Sequence, residues 1–393
     1  MNRYVLWKPI NIAILIAILA PSVVWAQANE RLRTRELGIQ VGVFPTGVHN
    51  AITDVSGVQV GHSTVVQAPH VRTGVTAILP HAENAYMSRV PAALHVGNGY
   101  GKLLGVTQVR ELGELETPIL LTCTLCVWKA ADAMVEWMLG QTGMENVRSL
   151  NAFVGETNDG RLNDIRSRPI EPEHVFAALE SASGGPVAEG GVGAGAGTVA
   201  FGWKGGIGTS SRVLPSSLGG YTVGVLVQSN FGGILQIGGA PVGRELGQYA
   251  FANQVGHDDE YDPDTDLQEW GSIMIVVATD APLSDRNLER IARRAIMGLS
   301  RTGSYASNGS GDYVIAFSTS EQVRRSTEDG IHRYSDLSNS NVSALFEATL
   351  EATEEAIYNS LFMAESVTSN GRTIQALPIE QTVDILRRYR VIR

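Results

Sequence analysis

Apolar residues recur at two different spacings along this chain, and the switches between them mark out its elements. Val58 and Val60 alternate with polar neighbours just after Ser56-Gly57, which predicts a turn and then a half-buried strand. Thr73 to Leu79 predicts a second strand, and the bounded apolar run Ile119 to Thr124 a central one. Within Lys129 to Leu139, Ala130, Met134, Val135 and Met138 fall at helical spacing. Pro172 opens a predicted helix over His174 to Ser181, a position where its missing N–H costs nothing. Tyr221 to Gln228, Gly271 to Ala278 and Tyr313 to Phe317 read as further strands. Ser284 is placed to cap a helix whose apolar set Leu288, Ile291, Ala292, Ala295, Ile296 and Leu299 repeats at three and four. Val342 to Met363 predicts a long helix carrying Leu345, Phe346, Leu350, Ala356, Ile357, Leu361 and Phe362. Strands on both sides of long amphipathic helices predict a layered α/β protein. No internal repeat is visible.

Two stretches break this rhythm. Glycines crowd residues 183–220, with Val187, Val192, Val199, Phe201, Trp203 and Ile207 interleaved. No helix tolerates that density, and a flexible linker would lack the apolar residues. The stretch predicts tight turns and closely approached backbone between short strands. The second break, His257 to Trp270, carries Asp258, Asp259, Glu260, Asp262, Asp264, Asp266 and Glu269 around Pro263, and predicts an exposed, mobile segment.

Composition narrows the class. The 393 residues are 44% hydrophobic and 18% charged, which supports a substantial core and excludes a disordered chain. By length alone they fit two or three domains or one large α/β unit. The 43 glycines follow no period of three, which excludes collagen. Thirty basic residues face forty acidic ones. A net charge of −10 argues against a nucleic-acid partner, because phosphate contacts need clustered positive charge. No stretch is basic and amphipathic enough for a membrane surface.

Residues 1–28 read as an address rather than as fold. Arg3 and Lys8 precede an apolar run from Ile10 to Ala20, Pro21-Ser22 breaks it, and Ala26-Gln27-Ala28 fits a small-x-small cleavage site. Cleavage would leave Asn29 first and a net charge of −12, since both removed charges are positive. The alternative, an uncleaved anchor, has too short an apolar run to cross about 30 Å of hydrocarbon. The expected location is therefore the periplasm or another exported, oxidising compartment.

Most familiar motifs are absent. The eight histidines contain no H-E-x-x-H pair, and His62 and His70, separated by predicted loop residues, suit structural or surface roles. Trp203-Lys204-Gly205 has the wrong order for a phosphate loop, and G-x-G-x-x-G is not met around Gly191, Gly193 and Gly195. Counted from Asp262, a calcium loop would place Leu267 where glycine is needed and Ile273 where glutamate is needed. No metal or cofactor is therefore expected. Cys123-Thr124-Leu125-Cys126 has redox spacing. Buried, inert thiols are the preferred reading, with a local disulfide or redox pair, or metal ligation, as alternatives.

Ser272 stands out by context. It opens a strongly apolar strand just after the acidic segment, and G-x-S-x-G is not present around it. If the Gly271–Ser272 bond were cut, the new α-amine would lie beside the hydroxyl. Such an amine, with a pKa of about 7.7–8.0, can act as general base without a histidine. Taken alone, the pattern fits an ordinary strand-edge serine as readily.

Beyond this junction, several segments resemble one family. They are Asn50-Ala51-Ile52-Thr53-Asp54-Val55-Ser56-Gly57-Val58, Arg72-Thr73-Gly74-Val75-Thr76, Gly155-Glu156-Thr157-Asn158-Asp159 and Leu162-Asn163-Asp164. Pro186-Val187-Ala188-Glu189-Gly190, Lys204-Gly205-Gly206-Ile207-Gly208-Thr209-Ser210-Ser211-Arg212, Val225-Leu226-Val227-Gln228-Ser229-Asn230 and the Ser272 to Pro282 stretch continue the likeness. Together they are similar to the DmpA/BapA-type P1 family of self-processing N-terminal-serine aminopeptidases, over nearly all of the mature chain. The resemblance implies a four-layer αββα sandwich of the N-terminal-nucleophile-hydrolase kind, forming one catalytic domain over 29–393. It implies self-cleavage into an α chain, 29–271, and a β chain, 272–393. Ser272 matches the nucleophile, Ser310 and Asp312 the serine and carboxylate that support it, and Asn230 the oxyanion-stabilising amide. Glu156 matches the carboxylate that holds the substrate's free ammonium. Read without the resemblance, Asp312 is a turn carboxylate, Glu156 a surface or capping residue and Asn230 a turn residue.

The implied activity releases small N-terminal β-, D- or L-residues from short peptides, amides or esters. The implied assembly is a homo-oligomer of αβ units, a tetramer of them. The competing classes are an acyltransferase of related architecture, whose nucleophile would rather be threonine, and a non-catalytic periplasmic binding protein. The chain departs from relatives at Asp312, where a β-peptide-cleaving member has glutamate, and at Gly271, where that member has asparagine. Gly191, Cys123, Cys126 and Trp128 also differ from the family's usual residues.

Overall fold

Gly271–Thr279 is buried at every position, and its side chains divide cleanly between two cores. Ile273, Ile275 and Val277 point into one; Met274, Val276 and Ala278 point into the other. A strand covered on both faces reads as a continuous apolar run, which is why no polar alternation appears in it. The rest of the architecture is built around this strand. The computed structural model describes residue 1 and residues 31–256, 271–327 and 330–393. The expected leader beyond its first residue, and the acidic segment 257–270, lie outside the described residues.

Among the described residues the two main sheets contain eleven strands, the short strand Glu114–Leu115 and ten others. In chain order the ten are β1 (Gln59–Gln67), β2 (Val71–Leu79), β3 (Ser88–Gly99), β4 (Ile119–Cys123), β5 (Phe153–Thr157), β6 (Gly206–Val213), β7 (Thr222–Phe231), β8 (Gly271–Thr279), β9 (Gly311–Ser318) and β10 (Arg325–Ser326). One sheet has four strands in the order β1-β2-β4-β5. The other is seven-stranded, in the order β10-β3-β9-β8-β7-β6, with the short strand Glu114–Leu115 also paired to β3. Each sheet contains one parallel pair, β4 with β5 and β8 with β9. Parallel neighbours need a crossover. Helix α1 (Val127–Leu139) lies between the strands of the first pair, and α3 (Asp285–Arg301) between those of the second.

The layers follow from where the apolar side chains go. Val60, Ile78, Ile119, Leu121 and Phe153 of the smaller sheet meet Leu226, Met274, Val276, Ile315 and Phe317 of the larger one in a core between the sheets. Val75, Ala77, Leu120 and Val154 face outward beneath α1 and α2 (Pro172–Glu180). Val225, Ile275 and Val314 face the opposite way, beneath α3 and α4 (Ser343–Phe362). The order is helix, sheet, sheet, helix, with residues 31–393 forming one compact unit. Ser284 caps α3 by accepting from the Asn287 amide. Pro172 occupies the first turn of α2. The glycine-dense stretch contains short strands at Val199–Ala200 and Trp203–Lys204, and its glycines permit close backbone approach. A Cβ on Gly208 would lie 1.9 Å from the Ala356 carbonyl of α4, and one on Gly206 would lie 2.2 Å from the Gly190 carbonyl.

Two expectations need correction. Residues 62–67 are strand, not loop: β1 pairs with β2 over its full length, and its polar residues lie on an edge strand that is only partly covered. His62 itself is structural, its Nδ1 2.9 Å from Thr76 Oγ1, and burial lowers it to about 4. The cysteines are not inert free thiols. Cys123 and Cys126 form a disulfide at the end of β4, in agreement with the alternative reading.

A buried ion network ties the N-terminal segment to this frame. Arg212 of β6 is fully buried; its Nε donates to Glu351 Oε2 at 2.9 Å and its Nη2 to Glu355 Oε2 at 2.7 Å, both on α4. Glu355 also receives Arg35 Nε at 2.9 Å and Asn50 Nδ2 at 2.6 Å, while Glu351 Oε1 accepts from the Val43 amide at 2.7 Å. Removing one member leaves buried charge uncompensated. Arg212→Met should therefore cost about 3–5 kcal/mol of unfolding free energy in a urea titration at pH 7 of the uncut chain, held in one piece by Ser272→Ala. A loss below about 1 kcal/mol would show that the network contributes little to stability.

Candidate active site

Strand pairing alone brings three of the expected residues to one end of the larger sheet. β8 runs antiparallel to β7, with Ser272 opposite Asn230, and parallel to β9, with Ile273 opposite Asp312. Ser310 stands one residue before β9. Its hydroxyl donates to Asp312 Oδ1 at 2.6 Å. The other carboxylate oxygen, Oδ2, is buried without a hydrogen-bond partner. Burial pushes Asp312 up to about 6, against the opposing pull of the Ser310 hydroxyl.

Ser272 is 4% exposed. Its hydroxyl donates to the Gly271 carbonyl at 2.5 Å and accepts from the Gly311 amide at 3.4 Å. The group that would attack thus lies against the carbonyl of the bond before it. Gly271 is where a side chain fits badly: a Cβ would stand 2.8 Å from Ser310 Oγ and 3.1 Å from Ser310 Cβ. Glycine here lets the Ser310 hydroxyl approach the junction.

Asn230 is held by two backbone groups. Its Oδ1 accepts from the Val199 amide at 2.9 Å, and its Nδ2 donates to the Asn158 carbonyl at 3.0 Å. These partners fix the orientation of the amide and leave the second Nδ2 hydrogen for another acceptor.

A cavity of about 280 Å³ opens beside the junction, bordered by Gly271, Ser272, Glu156, Thr124, Tyr100 and Lys102, with Asn158 and Asn308. Asn230 does not border it directly. Asn158 separates the two, lining both this cavity and a recess of about 20 Å³ that Asn230 shares with Val199 and Phe231. A larger cavity, about 700 Å³, lies near His81, Glu136, Trp137 and Glu180 and is bordered by none of the expected site residues. Size ranks below chemistry, since only the smaller cavity contains the nucleophile candidate.

Glu156 is 1% exposed on β5, which excludes the surface reading. Its Oε1 accepts from the Lys102 amide at 2.8 Å, and its Oε2 has no partner. Burial raises its carboxyl above the ordinary range, opposed by the Lys102 amide, the Lys102 ammonium and the Thr124 hydroxyl. A cation entering the cavity would reverse that effect. Among the described residues no three His, Cys, Asp or Glu side chains gather as a metal-binding group.

Thr124, Lys102 and Asn158 line the site without having been singled out from the sequence. Nothing in their local pattern distinguishes them from turn residues. Lys204 is explained by its contacts. It is fully buried, with Nζ donating to the Gly195 carbonyl at 2.8 Å and the Gly205 carbonyl at 2.7 Å, so it braces the glycine-rich turns instead of facing a phosphate. Burial lowers it to about 7.

The raised Asp312 carries a stability consequence. A carboxyl whose folded value exceeds its unfolded one of about 3.9 holds its proton more tightly when folded, so stability falls as pH rises from about 4 to about 6. Asp312→Asn removes that term. The unfolding free energy of the variant relative to wild type should increase by up to about 3 kcal/mol between pH 4 and pH 7. Urea titrations of the uncut chain at these pH values, with and without Asp312→Asn in a Ser272→Ala background, check this, and a difference that stays flat would refute it.

The comparisons with known proteins follow this geometry. The model for peptidase family S58 matches residues 50–374. Beta-peptidyl aminopeptidase BapA of Sphingosinicella microcystinivorans is 40% identical over 383 residues, covering 93% of this chain and 94% of that protein. The solved Burkholderia sp. beta-aminopeptidase superposes with a TM-score of 0.81 at 40% identity, over 91% of this chain and 99% of its own. The L-aminopeptidase D-Ala-esterase/amidase of Ochrobactrum anthropi does so with a TM-score of 0.81 at 34% identity, over 92% and 99%. That structure is described as a prototype for the serine aminopeptidases and a new variant among the Ntn hydrolase fold. The four-layer αββα sandwich described above is this same fold. Family model, sequence relatives and architecture agree, and the chain belongs to peptidase family S58.

Proposed function

We propose that this protein is a serine aminopeptidase that activates itself by cleaving its own chain after Gly271, then releases single residues from the free N-terminus of short peptides, amides or esters. The observation that carries the reading is the junction itself. The Ser272 hydroxyl sits against the Gly271 carbonyl at the head of a rigid central strand, in one cavity with an unpartnered carboxylate oxygen of Glu156. The named activities of the relatives support it.

In the first reaction Ser272 Oγ attacks the Gly271 carbonyl carbon. The C–N bond breaks as the hydroxyl proton passes to the Ser272 nitrogen, leaving an ester. Water opens the ester, ending an α chain 29–271 at a carboxylate and starting a β chain 272–393 at an amine. In the second reaction the substrate's ammonium docks on Glu156. The Ser272 amine takes the hydroxyl proton and Oγ attacks the substrate carbonyl. The free Nδ2 hydrogen of Asn230 meets the developing oxyanion. The leaving amine receives the proton from the Ser272 ammonium, and water then frees the acyl group. Ser310, bonded to Asp312, orients the amine and hydroxyl. Rate falls with falling pH as the Ser272 α-amine takes up a proton, because the protonated amine cannot act as base. It falls again near 6 as Asp312 takes up a proton.

Export and processing are read together by intact-mass spectrometry of protein from the exported fraction. Wild type should give two chains, one beginning at Asn29 and one of 122 residues beginning at Ser272. Ser272→Ala should remain one chain and be inactive, while Ser272→Cys should retain some processing, since a thiol can attack the same carbonyl. An active single chain, or a Ser272→Ala protein that still splits after Gly271, would overturn the mechanism.

Substrate charge gives a second test. N-acetylated versions of an otherwise good p-nitroanilide should be turned over at least about tenfold less efficiently, because they leave the buried Glu156 unpaired. Equal kcat/KM for free and acetylated forms would remove Glu156 from its role. The same assay, run with N-terminal L-Ala, D-Ala and β-homoamino acids, decides which residue class is preferred.

A further inference from the structure

The cavity beside Ser272 contains a second buried acceptor that the fold leaves unsatisfied. Besides Glu156 Oε2, the hydroxyl of Thr124 is buried there without a hydrogen bond of normal geometry; it lies near enough to Glu156 to oppose the upward push on that carboxyl, while its own oxygen accepts nothing. The two residues are 1% and 4% exposed, and both border the cavity. Strand pairing brings them together. Thr122 lies opposite Glu156 and Cys123 opposite Thr157, so Thr124 leaves β4 directly beside the Glu156 side chain. Three restraints then hold Thr124. The strand ends behind it at Cys123, a 3-10 turn runs from Thr124 to Cys126, and α1 begins at Val127. The Cys123–Cys126 disulfide closes that turn with Thr124 inside it.

An unpaired buried polar atom costs about 1–3 kcal/mol. Keeping two such atoms at one cavity wall is unfavourable unless a donor from outside completes them. A primary ammonium has three N–H donors, more than one carboxylate oxygen uses. We propose that Thr124 is a second ligand for the substrate's terminal ammonium, beside Glu156, and that the Cys123–Cys126 disulfide positions it. The proposal rests on the reading of Glu156 given above. It also narrows the substrate class: the site needs an ammonium with at least two N–H groups, and a tertiary N,N-dimethyl ammonium keeps the charge but has one N–H, which Glu156 takes, leaving none for Thr124.

The test compares one p-nitroanilide with its N,N-dimethyl analogue in wild type, Thr124→Ser, Thr124→Val, Thr124→Ala, Glu156→Gln and the double variant Cys123→Ser/Cys126→Ser. Thr124→Val keeps the volume and removes the hydroxyl. It should raise KM for the primary amine about tenfold with kcat within about twofold, and should shrink the primary-over-dimethyl preference by the same factor. Thr124→Ser should restore both. A role in stability alone would not move that preference. Thr124→Ala reads the same ratio if the valine variant does not fold. The double cysteine variant should raise KM similarly, and adding Thr124→Val to it should raise KM little further, because both changes disable one contact.

Wild-type KM and wild-type preference in Thr124→Val, or in Thr124→Ala where the valine variant does not fold, would overturn the role of Thr124. Full additivity with the cysteine changes would overturn the positioning role of the disulfide. Glu156→Gln separates the two levels. If it leaves KM unchanged, the reading of Glu156 fails and this proposal with it; if it raises KM while Thr124→Val does not, only this proposal fails.

Discussion

Everything at the site depends on the register of one strand. β8 is paired on both sides, and its alternate side chains are committed to two different dry cores. A slip by one residue would exchange Ile273, Ile275 and Val277 with Met274, Val276 and Ala278 and misplace every one of them. That constraint sets the position of Ser272 relative to Asn230 on one neighbour and Asp312 on the other. The reactive hydroxyl needs no loop of its own to hold it, since the packing that stabilises the protein also aims it.

The price of that placement is visible in the polar groups around it. Glu156 and Asp312 are carboxyls driven upward by burial, and each keeps one oxygen without a partner. Thr124 adds a hydroxyl that faces Glu156 but whose oxygen accepts no hydrogen bond. Across the sheet, where no substrate comes, the treatment of charge is different. Arg212, Glu351 and Glu355 are equally buried, yet their charged groups are paired with one another and with backbone carbonyls and amides. The two clusters thus differ in how fully their buried charges are paired.

The layered α/β fold was legible because its central strands and long helices carry strong periodic signals. Gly271 to Ala278 and Val342 to Met363 were placed to within one residue at each end. β1 was less legible, since an edge strand with one partly exposed face carries Ser63 and Thr64, which resemble loop residues. Ser272 was suggested by its context, but the roles of Glu156, Asn230 and Asp312 came from family resemblance, because each alone reads as an ordinary polar residue. Thr124 was hidden for a different reason. Its meaning arises only when β4 and β5 lie side by side, and pairing between strands thirty residues apart leaves no local trace. The cysteines were read as inert thiols because a two-residue spacing suits several fates, and the strand-to-turn junction, invisible in the spacing, brings them together as a disulfide.

The strand order carries a consequence for the protein's life history. With the bond after Gly271 broken, β6 and β7 belong to one polypeptide, β8 and β9 to the other, and β3, beyond them, to the first again. The two pieces are woven through a single sheet, and no surface separates them as subunits. Folding from the precursor is a first-order search within one chain, whereas recovery from complete unfolding after the cut would be a second-order encounter between two fragments, neither of which holds the whole larger sheet. Maturation thus turns a reversible folding problem into a one-way one, and the working enzyme persists by the slowness of its unfolding instead of by its capacity to refold.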